Sequence, residues 1–203
     1  MSLRYAILGV LDAQPMTGYE LGGFFETSAN WVWSAKLSQI YPLLNTMAAE
    51  GVVDSEDEVH GRRRSTRYSI TDKGRAELVD WVGSSHSLPG MRDPMLIQAL
   101  YMDLLDPEQV DRVLGEYLEV MRRRVADLRE HQRALVEGET DLIRARLALR
   151  PARDHARMLM MKSMVFAGLI RQCEASMAWA EDFLMASRLG GCAIGVESTP
   201  QDM

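Results

Sequence analysis

Between Leu37 and Thr71 the chain changes its pattern once, and that change narrows the fold more than any other feature. Leu37, Ile40, Leu44 and Met47 recur at i, i+3, i+7 and i+10, one apolar stripe along a helix within Ser34 to Glu50. The opposite face carries Ser38, Pro42, Asn45, Thr46 and Ala49, with no acid until Glu50. Gly51 stands in the usual closing position. A hairpin follows, with Val52 to Val59 as one arm, Arg67 to Thr71 as the other, and His60 to Thr66 as its tip. Thr71-Asp72 opens a further helix whose apolar face is Leu78, Trp81 and Val82.

Two shorter helices precede the stripe. Leu3 to Leu11 is apolar and ends near Gln14-Pro15; Thr17 opens the next, with Glu20 three residues on in capping-box spacing. Three helices, a hairpin and a fourth helix by Val82 is the order of a winged helix-turn-helix. The expected domain is residues 1–90, closed by the Ser-, Pro- and Gly-containing stretch from Ser84 to Arg92.

Beyond that linker the pattern is wholly helical, so the fold class is mainly α. One helix is expected over Pro94 to Leu105. A second starts at Asp106-Pro107-Glu108-Gln109, an N-cap followed by proline, an acid and an amide, and runs to about Glu137. Its apolar positions are Val110, Leu114, Tyr117, Met121 and Leu128. A last long helix is expected from Pro151 to Leu189. Its Met158, Met160, Met161 and Met164, with Trp179, suit a dimer interface or core better than a ligand surface. Residues 91–189 form a helical dimerisation region, and residues 190–203 are expected to be a disordered tail.

The formal net charge is −6, and residues 1–90 hold eight Lys or Arg against eleven Asp or Glu. Any binding of a polyanion must therefore come from local placement of cations. Arg62, Arg63, Arg64 and Arg67 provide it at the hairpin tip, half of the cations in that domain. The alternative is a solvated tip paired with Asp54, Glu56, Asp57 and Glu58.

Two cysteines, Cys173 and Cys192, have no metal-ligand spacing, and His60, His86, His131 and His155 fall on separate elements. There is no nucleophile elbow and no glycine-rich phosphate loop. No enzyme, metal or cofactor is expected. The apolar start is too short to span a bilayer and lacks a cleavage site, which fits a cytoplasmic protein.

The segments LRYAILGVLDAQPMTGYEL, SQIYPLL, AAEGVV and RYSITDKGRAEL, in this order over residues 3–82, resemble the PadR family of bacterial transcriptional regulators. RDPMLIQALYMDLLDPEQ and AGLIRQCEASMAWAEDFL resemble, less distinctively, the helical C-terminal region of its longer members. The resemblance implies a homodimer joined through C-terminal helices, a repressor-like role and an inverted-repeat DNA operator. It also raises control by a small aromatic or amphipathic effector, since some members respond to phenolic acids or drugs.

In such a fold the third helix enters the major groove and the wing meets the flanking backbone or minor groove. The residues expected to touch DNA are Lys36, Ser38, Gln39, Tyr41 and Asn45 on the helix, and Arg62, Arg63, Arg64 and Arg67 on the wing. Gln and Asn can pair with adenine edges, while Lys, Ser and Tyr suit phosphate or base. Gln39 and Asn45 could instead be plain solvated surface. Tyr41, with Pro42 the counterpart of the family's Tyr-Pro pair, could equally be a boundary packing residue. Pro42 strains any helix that begins much before Ser38, so the start stays open between Ser34 and Ser38. Trp31 and Trp33, the latter at a place where a tryptophan recurs in the family, either pack the helix start or wall a ligand site. The competing reading of the whole chain is a protein-interaction adaptor that kept the winged helix without binding DNA.

Overall fold

The computed structural model describes residues 2–27, 35–60, 63–87 and 93–189, except for the side chains of Ser2, Thr27, His60, Arg63 and Arg64. Two compact units emerge: residues 1–87 with 134–160, and residues 88–133 with 161–203. The sequence led us to expect one cut near residue 90. Residues 134–160 group with the N-terminal residues.

In the first unit, α1 (Ser2–Leu11) leads through a turn to a two-residue strand, β1 (Met16–Thr17), and to α2 (Gly18–Thr27). The capping box forms as its spacing predicts. The Thr17 hydroxyl accepts from the Glu20 backbone N–H at 3.2 Å, and the Glu20 carboxylate accepts from the Thr17 N–H at 2.7 Å. The next helix, α3 (Leu37–Ala49), buries Ile40, Leu44 and Met47 completely. They join Ile7, Leu8, Leu21, Phe25, Val52 and Val53 in one core. Burying each such side chain stabilises the fold by about 1.5–3 kcal/mol. Gly51 ends this stretch at φ +70°, where a Cβ would be strained.

The wing is longer than expected. Strands β2 (Val53–His60) and β3 (Arg63–Ile70) pair antiparallel from Val53↔Ile70 out to His60↔Arg63, so only residues 61–62 lie between them. Side-chain pairs zip the arms past the last apolar residues: Thr66 donates to Asp57 at 3.0 Å and Arg67 to Glu58 at 2.6 Å. On its other edge β3 pairs with β1, Met16↔Tyr68 and Thr17↔Arg67, giving the order β1-β3-β2. Then α4 (Asp72–Val82) starts on Thr71, whose hydroxyl accepts from Gly74 N–H at 3.1 Å. Trp81 stacks on Tyr5 at 4.5 Å, but Val82, expected on the buried face, is exposed.

In the second unit, Asp93 caps α5 (Pro94–Ala99), accepting from Met95 N–H at 2.9 Å. The expected helix to Leu105 does not continue. After Leu100 a 3₁₀ turn, Met102–Leu104, tightens the backbone to i→i+3 bonds, as helix ends often do. The cap at Asp106 holds: it accepts from Gln109 N–H at 2.8 Å while Gln109 accepts from its own N–H at 3.1 Å.

From there α6 runs over Pro107–Val136, and α8 over Ala152–Arg188. Between these helices lies α7 (Asp141–Ala148), which the sequence pattern did not announce. Within the second unit Val110, Leu114 and Leu118 form a core with Met95, Met102 and Ala180. Arg129–Glu174 and Arg188–Asp111 pairs join α6 to α8. Among the described residues no helix is long and apolar enough to cross a membrane.

Candidate nucleic-acid interface

The first turn of α3 is built by its own side chains. Lys36 is the N-cap, with extended φ and ψ, and its backbone N–H donates to the Gln39 side-chain oxygen at 3.1 Å. The helix therefore starts between the two positions the sequence left open. Pro42 lies inside it, and its missing N–H leaves the Ser38 carbonyl without its i+4 donor. One row of the helix, Ser38, Tyr41, Pro42, Asn45 and Ala49, stays exposed, with Gln39 and Thr46 beside it. The row contains no carboxylate.

These residues are not equally free. The side chains of Ser38 and Asn45 make no hydrogen bond among the described residues. Thr46 turns its hydroxyl back onto the Pro42 carbonyl at 3.0 Å. The Gln39 oxygen is taken by the cap, so a bidentate pairing with the major-groove edge of an adenine would undo that cap. Of the two side-chain amides, that of Asn45 is the one that no described side chain or backbone group engages. Lys36 keeps its ammonium exposed at the helix start.

Tyr41 does both things the sequence left open. A Cβ on Gly18 would stand 2.5 Å from its ring, so only glycine at 18 lets Tyr41 pack across the first turn of α2. Its side is covered by α2, yet the residue remains 43% exposed. Sequence reasoning missed Gly18, although the glycine lies in the matched TGYE segment. Beside this pair, Tyr68 is nearly buried, and burial pushes its phenol up from the ordinary value, with Tyr41 and Asp57 adding to the shift.

The wing base is a groove of about 710 Å³ lined by Tyr19, Tyr41, Asp57, Glu58, Thr66 and Arg67 among others. Arg67 was expected on a phosphate. Instead its guanidinium meets Glu58 at 2.6 Å, Glu20 at 3.4 Å and the Pro15 carbonyl at 3.1 Å. The Glu58 hydrogen bond raises its pKa further, with burial opposing. Arg67 thus ties the wing to α2 and to the turn before it. The backbones of Arg63 and Arg64 lie at the far end of β3, opposite His60 and Val59. Arg62, Trp31 and Trp33 lie outside the described residues, as does the expected tail at 190–203.

Among the described residues no cluster of His, Cys, Asp and Glu could hold a metal. The surface offers hydroxyls, amides and a cation at a helix that can approach an anionic groove. Comparison with known proteins gives the same picture. Residues 7–80 match the transcriptional regulator PadR-like family, and residues 91–186 match the virulence activator alpha C-terminal family. The chain is 30% identical over 128 residues to the negative transcriptional regulator PadR of Bacillus subtilis, covering 62% of this chain and 70% of that one. It is 39% identical over 93 residues to a Mycobacterium tuberculosis protein described as a probable transcriptional regulator, 44% of this chain and 49% of that one.

Among solved structures it resembles Bacillus subtilis PadR in complex with operator DNA, with a TM-score of 0.73, 23% identity, and coverage of 92% of this chain and 99% of that one. The same relative in complex with p-coumaric acid gives a TM-score of 0.69 at 23% identity, covering 93% and 99%. The Vibrio cholerae virulence activator AphA gives 0.64 at 24% identity, also covering 93% and 99%. At these identities the structures speak for the fold.

Proposed function

The chain belongs to the PadR-like family of transcriptional regulators, and on that premise we propose that it reads an inverted-repeat operator as a homodimer, α3 in the major groove and the wing on the backbone. It is a DNA-binding regulator and not an enzyme. The observation that carries the proposal is the row Ser38, Tyr41 and Asn45, exposed together on a helix face that has no carboxylate of its own. In a chain of net charge −6 such a surface is kept for a polyanion. Lys36, Gln39, Arg62, Arg63 and Arg64 complete the proposed contacts.

The dimer is proposed to close over the C-terminal helices. Met160, Met161, Met164 and Val165 are about half exposed on α8. A groove of about 430 Å³ in the second unit is walled by Ile97, Leu100, Trp179 and Phe183. Apolar surface of this kind marks an interface. A repressor-like role follows the Bacillus relative, and a small aromatic or amphipathic effector is proposed from the acid bound by that relative. A cytoplasmic location fits a regulator of this kind.

The test is fluorescence anisotropy with the chain's own upstream DNA across a salt series. The log–log slope should fall near −6, at roughly −0.9 per phosphate contacted. Indifference to that DNA and to random-sequence pools, with a protein partner captured instead, would establish the adaptor reading.

A further inference from the structure

The groove of about 710 Å³ at the wing base shares only Tyr41 with the residues proposed to touch DNA, and its chemistry is of another kind. Three tyrosines line it: Tyr19 from the start of α2, Tyr41 from α3 and Tyr68 from β3. So do three carboxylates, Glu20, Asp57 and Glu58, against one cation, Arg67. Arg67 meets both Glu58 and Glu20, while Asp57 is engaged by the Thr66 hydroxyl. Two negative charges therefore stand in excess along the lining. An excess of this sign attracts a cation.

Tyr68 adds an independent observation. It belongs to the N-terminal core, with 5% of the residue exposed, and yet it lines the groove. Among the described residues its hydroxyl has no hydrogen-bond partner, nor has that of Tyr41. Tyr41 and Asp57 both lie close enough to act on the Tyr68 phenol electrostatically. A nearly buried hydroxyl without a partner is costly, and a donor arriving in the groove would satisfy it.

A primary ammonium fits each of these features. It carries three N–H donors and no acceptor, its charge suits the carboxylate excess, and the faces of aromatic rings attract it as well. Among the described residues no three carboxylate, histidine or cysteine side chains gather for a metal ion, so the groups present suit a cation carried on a larger frame. A groove of this volume has room for such a frame. We propose that the wing-base groove binds a small organic ammonium ion, its N–H groups on Asp57 and on the Tyr68 and Tyr41 hydroxyls, its carbon frame against the tyrosine rings. The site lies wholly within the first unit. The same charge that draws an ammonium turns away an aromatic carboxylate.

The test is isothermal titration calorimetry of the full chain, without DNA and at low salt, with benzylammonium as the probe and benzyltrimethylammonium and benzoate as controls. Benzylammonium should bind with a dissociation constant of about 1 mM or below, the range its few atoms allow. Benzoate should not bind. Asp57→Asn should weaken benzylammonium about fivefold, the effect of one close charge pair near water. Tyr68→Phe deletes only the unpaired hydroxyl, so it should melt like the wild type. It should weaken benzylammonium about fivefold, the effect of one hydrogen bond. Benzyltrimethylammonium has no N–H to offer, so the same variant should hold it within about twofold of wild type. Absence of saturable benzylammonium binding overturns the proposal. Equal binding of benzoate does so too, since the groove would then be an apolar one blind to charge. So do wild-type affinities in both variants, which would put the ligand elsewhere. With no DNA present, none of these outcomes touches the operator reading, which stands or falls by the salt series above.

Discussion

In the N-terminal unit α3 turns Ile40, Leu44 and Met47 fully inward and leaves polar or small residues outside. In the second unit α5 and the turn after it bury Met95 and Met102 but expose Ile97, Leu100, Tyr101 and Leu104, the last at 78%. Both segments are short and apolar on one side at least. The difference is that the first is buried by described residues of its own unit, whereas the second presents apolar surface that no described residue covers. A monomeric soluble protein rarely leaves such a contiguous patch open. Under the proposed function, operator reading and assembly fall to separate surfaces, so each can be damaged alone.

The largest effect should come from the second surface. Ile97→Glu with Leu100→Glu should give monomers by sedimentation or light scattering. Operator affinity should fall by about 10²–10⁴-fold, because the second half-site is no longer held at high effective concentration. Binding to a single half-site should hardly change. A variant that stays dimeric at micromolar concentration would break the comparison.

A pair of truncations sharpens it. Leu44→Ala removes a fully buried side chain and should cost about 2–5 kcal/mol in denaturant unfolding. Leu104→Ala deletes the same atoms from an exposed position and should move stability by about 0.5 kcal/mol or less in a dissociated chain. If Leu104→Ala costs as much in the intact dimer as Leu44→Ala, then Leu104 lies inside the interface.

Much of the fold was legible because its signals are local. The Thr17–Glu20 and Asp106–Gln109 caps join residues three apart, and the α3 stripe repeats on one helix. What escaped depends on contacts distant in sequence. Met16 and Thr17 pair with Tyr68 and Arg67, and two residues are too few to show an alternation. For Arg67 the sequence offered either a phosphate or the wing acids, Glu58 among them, but it gave no sign of Glu20, 47 positions away, which also meets it in the fold. Helix α7 spans eight residues, only about two turns, and its Arg146 meets Gly9 from 137 positions away. Gly18 sat in plain view, but nothing local says that Tyr41 will lie across it.

Within the reading surface, Asn45 and Arg64 should fail in different ways. Asn45→Ala should cost about 1–3 kcal/mol at the cognate site and almost nothing on random DNA. Gln39→Ala should cost less at the cognate site, since its oxygen already serves the helix cap. Arg64→Ala should weaken both DNAs alike and lower the salt slope by about 0.9 for each phosphate that its guanidinium neutralises. Equal losses on both DNAs for Asn45→Ala would remove base reading from α3.

The smallest effect concerns an ion pair that belongs to the complete half alone. Arg4 of α1 grips both oxygens of Glu77 on α4, at 2.5 and 2.8 Å, and also reaches Glu50 at the end of α3. The hydrogen bond from Arg4 holds the Glu77 carboxyl below the usual range, with burial opposing and the charges of Arg4 and Lys73 assisting. A carboxyl depressed in the folded state binds its proton more readily once unfolded. Its contribution is therefore fully present above the unfolded value, near 4.3, and fades as the pH drops through the lower folded value. Glu77→Gln should lower the N-terminal unit's stability by about 1 kcal/mol at neutral pH, and the difference from wild type should vanish in acid. The second unit's pairs, such as Arg188–Asp111, are more exposed and should contribute less. Thermal melts of Glu77→Gln and Asp111→Asn between pH 7 and pH 3 separate the two. A larger acid-sensitive loss for Asp111→Asn would mean that the helical half, not the winged helix, depends on its ion pairs.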